Sequence, residues 1–316
     1  MMFFIAGCTG FIGRHLVSAL AAGGMQAVCL ARSAAKSENC NKAGFDVVIG
    51  DITDRESLKG KLDNCDTVVH LVGIIEEKEG LSFDLVHVNG TENLVNEAKK
   101  AKVKHFFYQS ALGASPSSWS RYLKTKAEAE EIVRTSGIPY AIFRPSLVVG
   151  DGDGFTSKLK DLIASSPVVP VPGDGKAKFQ PIYVGDLVKC FIKLFSSAST
   201  VVRAASPVYE LGGPEHLTYN ELLSLLMEAT GVRKPIVHVP MEMVKLGLPL
   251  SGIFQGIAGM FGKTIPSVTL DQLRLLETDN ICETDAVEKH FGFVPVRYEE
   301  ALRLFIKRQY TVRSEG

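Results

Sequence analysis

Neither sign of charge is in excess in this chain. Lys plus Arg and Asp plus Glu number 35 each, so the formal net charge is 35 minus 35, or zero. That balance removes a global electrostatic basis for binding nucleic acid or an anionic membrane surface. Cysteine is sparse: Cys8, Cys29, Cys40, Cys65, Cys190 and Cys282 include no CxxC pair, which suits reduced thiols better than a secreted disulfide framework. The histidines come no closer together than His70 and His87, so no sequence-local metal site is expected. No apolar stretch of spanning length lacks charge or proline, which argues against a transmembrane helix. No basic leader precedes the first apolar run; the expectation is therefore no signal or transit peptide and a cytoplasmic location.

Glycine, by contrast, is concentrated near the start. The apolar run 2–6 is too short for a helix and leads into Gly7-Cys8-Thr9-Gly10-Phe11-Ile12-Gly13. Phe11, Ile12, Leu16, Val17 and Leu20 then recur at helical spacing, giving the order strand, tight turn, helix. Glycines three apart let the backbone reverse and approach a ligand where no Cβ fits, and the amides that open the helix favour an anion. The expected ligand is a dinucleotide pyrophosphate, held by Gly7, Thr9, Gly10, Phe11, Ile12 and Gly13. A glycine turn that binds nothing carries the same short signature, so the context has to decide.

Further apolar runs at 26–31, 46–49, 67–72, 105–109 and 140–143 alternate with helical patterns at 54–60, 83–100 and 122–136. This is the repeated βαβ unit, in which a crossover helix joins parallel strands. Six strands, several of them apolar throughout, imply an α/β fold built on a doubly wound parallel sheet covered on both faces. After Gly150 the alternation gives way to Gly- and Pro-rich loops and longer helices. The expected division is a cofactor domain over 1–150 and a smaller, mixed α/β substrate-side subdomain over 151–316. A helix at 183–195 and a strand at 208–211 are candidates to return to the first domain. The stretch 237–261 is dense in Val, Met, Leu, Ile and Phe, with Glu242 and Lys245 as its charges. A buried helix pair, an apolar substrate site or a peripheral membrane contact would each produce that composition.

Arg32 stands at the end of the second strand, nineteen residues after Gly13. A basic group there pairs with the 2′-phosphate of NADP, where an acidic one would take the 2′-hydroxyl of NAD. Arg32, with Lys36 nearby, favours NADP over NAD. Asp51-Ile52 suits the adenine edge or an ordinary turn, and Leu71-Val72-Gly73 allows the backbone to approach the cofactor's middle. Tyr122 and Lys126, four residues apart on a predicted helix, share one face. A free tyrosine titrates near pH ~10, and a neighbouring cation brings it toward acid-base use.

These residues together resemble the short-chain dehydrogenase/reductase superfamily in its extended form. Gly7 to Gly13 is similar to the GxxGxxG fingerprint, Asn89-Gly90-Thr91-Glu92-Asn93-Leu94 to the NxxGTxN-type helix, Tyr122 to Lys126 to YxxxK, and Arg144-Pro145-Ser146 to the strand-end RP motif. Within the superfamily, Ser110-Ala111-Leu112-Gly113-Ala114 and the segment from Tyr122 to Glu128 look most like an atypical branch. That branch includes the nucleotide-binding accessory subunit of respiratory complex I and its bacterial relatives. The resemblance implies Tyr122 as general acid/base, Lys126 on the nicotinamide ribose, Asn89 in a proton relay, and Pro145 and Ser146 beside the cofactor. It also implies a catalytic hydroxyl after the fifth strand. Here Ala111 occupies that place in the best local match, leaving Ser110, or Ser115, Ser117 or Ser118, to supply it.

The leading expectation is an NADP(H)-dependent oxidoreductase acting on a small apolar carbonyl or quinone-like substrate. A non-catalytic NADP(H)-binding assembly factor of a respiratory or quinone-related complex is the second, and a nucleotide-sugar epimerase or dehydratase the third.

Overall fold

The computed structural model describes residues 1–196, 208–245 and 270–314. They fall into two compact units, Met1–Pro145 with Val184–Leu211, and Ser146–Tyr183 with Gly212–Gly316.

In the first unit, β1 (Met2–Ala6), β2 (Gln26–Ala31), β3 (Asp46–Ile49), β4 (Thr67–His70), β5 (His105–Gln109), β6 (Tyr140–Pro145) and a seventh strand, Val208–Leu211, form one sheet. All its pairings are parallel, and the order runs from the seventh strand through β6, β5, β4, β1 and β2 to β3. β1 and β4 are neighbours although two strands lie between them in sequence. Chain direction across the sheet reverses there, and the carboxyl ends of β1 and β4 flank the crevice in which such sheets bind ligands.

Side-chain alternation along the strands explains why both faces are covered. Phe4, Val68, Phe106 and Ile142 join one buried cluster with Leu94 and Ala98 of α3 (Gly90–Lys100) and Ala129 and Val133 of α4 (Arg121–Arg134). Their neighbours Phe3, Phe107 and Phe143 point the other way, toward the helix Val184–Ser196. Phe107 and Phe191 rings lie 4.1 Å apart there, and Phe3 and Phe195 rings 4.8 Å. The long helix α1 (Phe11–Ala22) buries Leu16, Val17 and Leu20.

Three local expectations change. The segment 54–60 contributes a single 3₁₀ turn, Glu56–Leu58. A short helix α2 (Glu38–Lys42), too brief to show periodicity, precedes β3. The helix expected over 83–100 opens as a π-helical turn, Asp84–Asn89, before α3 begins; such wide turns gather at functional sites.

The second unit is mixed α/β. Its strands pair two by two: Val148–Val149 with Ile182–Tyr183, Val169–Pro172 with Ile236–Val239, and Lys178–Phe179 with Leu217–Thr218. Its core joins Leu159, Val171, Leu222, Leu226, Tyr298 and Leu302. The helix Tyr219–Thr230 starts with a reciprocal cap between Thr218 and Glu221 and stops at Gly231, whose φ of +69° only glycine adopts cheaply. Of the apolar stretch 237–261, residues 246–261 lie outside the described residues.

One buried ion pair ties α4 to the sheet. Glu130 is 2% exposed and accepts two hydrogen bonds from the Arg144 guanidinium on β6, at 2.8 and 2.7 Å, and one from Arg134 at 2.8 Å. Arg144 also reaches Glu210 on the seventh strand at 3.3 Å. Removing the carboxylate strands a mostly buried guanidinium. Glu130→Ala is expected to cost about 3 kcal/mol in urea unfolding, and a loss below about 1 kcal/mol would mean that the pair is dispensable.

Candidate cofactor and catalytic site

The first unit assembles a site around the carboxyl ends of β1, β4 and β5. β1 leaves the sheet at Gly7, whose φ is +96°. A Cβ on Gly7 would stand 3.0 Å from both the Leu71 carbonyl carbon and the Val72 nitrogen; on Gly13 it would meet the Gly7 oxygen at 2.0 Å. The turns after β1 and β4 therefore touch, and glycine is what allows it. Gly10 N–H closes the first turn on the Gly7 carbonyl at 3.0 Å. α1 then starts at Gly10 with no side-chain cap and no acidic residue in its first turn, an opening suited to an anionic group. Thr9 is exposed, and Phe11 and Ile12 are half-buried.

The adenosine-side candidates divide. Arg32 and Lys36 are exposed just beyond β2. Asp51 builds its own turn, one carboxylate oxygen accepting from the Thr53 N–H and hydroxyl, both at 2.9 Å. The Ile52 side chain is 2% exposed and packs under Gly90, so it belongs to the core; its carbonyl accepts from Asn93 Nδ2 at 2.9 Å. The Ser146 hydroxyl lies in the second unit and is engaged with Asn280, at 2.8 Å from its carbonyl oxygen and 2.7 Å from its side-chain oxygen. The Pro145 carbonyl accepts from Leu112 N–H at 3.0 Å.

Lys126 is the centre of the other half. Only 4% exposed, it donates from Nζ to the Gln109 carbonyl at the end of β5, 3.0 Å away, and sits 5.0 Å from the Tyr108 ring centroid. Gly73 leaves room for it, since a Cβ there would lie 3.1 Å from Lys126 Nζ and 3.5 Å from His87 Nε2. Burial lowers the Lys126 pKa to about 8. One helical turn earlier, Tyr122 packs edge-on against the stacked rings of Phe83 and His87, and burial pushes its hydroxyl up to about 12. At neutral pH Tyr122 holds its proton and is a donor, not a phenolate.

Asn89, expected in the proton relay, is exposed. The side chain that the π-helical turn directs inward is His87, two residues earlier, in the place where NxxGTxN counts its first asparagine back from Gly90. Sequence reading missed it by anchoring the motif on Asn89. Ile74 N–H donates to His87 Nε2 at 3.1 Å, which fixes the proton on Nδ1, donated to Thr125 Oγ1 at 2.9 Å. His70, fully buried below it, is 3.0 Å from Thr91 Oγ1. Burial, with Lys126 adding repulsion, lowers His87 to about 2 and His70 to about 3, so both imidazoles are neutral dipoles. The Ser110 hydroxyl is 3% exposed and has no hydrogen-bond partner among the described residues. A buried, unsatisfied hydroxyl at a strand's carboxyl end is a group that a ligand oxygen would satisfy.

The sheet order and the glycine turn define a doubly wound NAD(P)-binding protein, and the comparisons agree: the NAD(P)H-binding family model matches residues 7–161. Together the NAD(P)H-binding match, the relatives among respiratory-complex subunits and the epimerase and dehydratase structures of the same fold support a short-chain dehydrogenase/reductase of the extended type. It is 28% identical over 292 residues to the mitochondrial NADH dehydrogenase [ubiquinone] 1 alpha subcomplex subunit 9 of Arabidopsis thaliana, spanning 90% of this chain and 71% of that protein. It is 34% identical over 167 residues to the ceramide reductase of Caulobacter vibrioides, across 53% of this chain and 52% of that one. Its fold superposes on the UDP-glucose 4-epimerase of Thermotoga maritima with a TM-score of 0.72 at 20% identity, over 100% of both chains. No helix among the described residues is long and apolar enough to cross a membrane.

The depressed Lys126 pKa carries a sign. Below pH ~8 the lysine is charged in folded and unfolded chains alike and burial penalises only the folded one; the penalty fades as pH rises toward the unfolded value of ~10.4. Lys126→Met is therefore expected to unfold later than the wild type at pH ~7, by on the order of 1–3 kcal/mol, with the gap closing by pH ~10. Equal or lower stability of the variant at neutral pH would contradict a desolvated ammonium.

Proposed function

We propose that the protein is an NADP(H)-dependent reductase of a carbonyl, or of a quinone-like group, on a small apolar substrate. What supports this most is the buried ammonium of Lys126, bonded to the Gln109 carbonyl, with the protonated phenol of Tyr122 one helical turn earlier on α4 and the unsatisfied buried hydroxyl of Ser110 next in the chain to Gln109. NADPH would supply the hydride when bound. Ser110 orients the substrate oxygen, Tyr122 gives it a proton, and Lys126 binds the nicotinamide ribose. His87 and Thr125 hold the π-helical turn against α4, so Tyr122 faces a fixed wall. Arg32, with Lys36 nearby, supports NADP(H) over NAD(H). The similarity to a ceramide reductase supports an apolar substrate, whereas the likeness to an epimerase structure concerns fold alone.

A second reading, in which the nucleotide is held and not consumed, has specific support as well. Ala111 stands where the family's catalytic hydroxyl is expected, burial pushes Tyr122 up to about 12, further from acid-base use at neutral pH, and the similarity to a subunit of a respiratory dehydrogenase runs along most of the chain.

NADPH oxidation over a panel of long-chain ketones and short-tailed quinones separates the two. On the reductase reading one class turns over, and Tyr122→Phe lowers kcat by 10²-fold or more while NADPH still binds. Strong thermal stabilisation by NADPH without turnover of any member supports the holding role instead. Arg32→Ala is expected to weaken NADPH at least tenfold and to leave NADH within about twofold; equal losses for both would remove the 2′-phosphate assignment.

A further inference from the structure

Three cysteines far apart in the sequence meet behind the glycine turn. Cys8 lies between Gly7 and Thr9, Cys29 is on β2 and Cys40 is on α2. The parallel register, which sets Ile5 beside Cys29, and the packing of α2 on α1 and β3 bring them together. All are free thiols, no more than 1% exposed, and their sulfurs all lie within 4.8 Å of one another. No histidine or carboxylate belongs to the group among the described residues. The Cys8 thiol donates to the Leu30 carbonyl at 3.2 Å.

Burial of three thiols is ordinary if each fills an apolar gap separately. Convergence of all three sulfurs on one point from three elements is the geometry of a ligand set. Three sulfurs bound to one ion at about 2.3 Å stand roughly 4 Å apart, so small χ1 adjustments suffice here. The donor set chooses the ion. Thiolate sulfur selects soft ions, and a structural zinc calls for a fourth strong ligand, whereas Cu(I) accepts fewer.

We propose that Cys8, Cys29 and Cys40 form a buried, three-coordinate site for a soft monovalent metal ion of the Cu(I) class. Because Cys8 is part of the dinucleotide turn, the ion would clamp that turn to β2 and α2 and so bear on nucleotide binding. The site does not depend on the reductase reading, and its test does not involve turnover.

The full chain, kept anaerobic and reduced, is titrated with Cu(I) against a chromophoric chelator, and copper X-ray absorption is recorded on the loaded protein. One equivalent bound with a first shell of three sulfurs is expected. Cys40→Ser and Cys29→Ser should each weaken that equivalent at least a hundredfold, whereas Cys190→Ser, whose buried thiol lies outside the group, should leave it unchanged. Far-ultraviolet circular dichroism of each variant checks its fold, and if Cys29→Ser does not fold, the sulfur count on the wild type decides. A nitrogen- or oxygen-dominated shell, affinity in Cys40→Ser within threefold of the wild type, or a disulfide among these cysteines in the protein as isolated would overturn the proposal.

Discussion

The close approach of two turns governs this structure. β1 and β4 are adjacent at the reversal of the sheet, and the chain leaves both strands within van der Waals distance, Gly7 against Leu71 and Val72. A side chain at Gly7 would force the turns apart, and one at Gly13 would drive α1 off the glycine turn itself. Because they touch, α1 presents its uncapped start to the crevice and Gly73 is set beside Lys126. The uncapped helix start and the Lys126 end of the candidate site are thus two consequences of a single packing constraint.

The second half of the site is made by desolvation. A lysine held near pH 8, a tyrosine pushed to about 12 and two neutral histidines are what burial does to titratable groups, the Glu130 carboxylate offsetting only part of it at Lys126. Groups perturbed in this way burden the fold, and their clustering is the pattern of a functional site. The structural charge pair, Glu130 with Arg144, behaves differently: each charge is matched, and the pair holds α4 at the angle that places Tyr122 and Lys126.

Much of this was legible in the residues. The positions of the strands, the sheet type and the glycine turn follow from apolar runs and glycine spacing, because backbone sterics act locally, although β4 ends earlier and β6 later than the runs suggest. Lys126 and Tyr122 were visible through helical periodicity. What escaped depends on tertiary context. The π-helical turn rotates His87 inward and leaves Asn89 in solvent, and nothing in the periodicity of 83–100 separates a wide turn from an ordinary one. Ile52 and Ser146 fit motif positions, yet one fills the core under Gly90 and the other bonds Asn280, and both partners lie dozens of residues away. The three cysteines show no motif because each sits on a different element.

If NADP(H) lies across the reversal point of the sheet, as proposed, amide hydrogen exchange with and without NADPH will register it. Protection should concentrate in the turn 7–13, in 71–73 and around Arg32, and be weaker with NADH. Protection confined to other segments, or no change at saturating NADPH, would contradict the account.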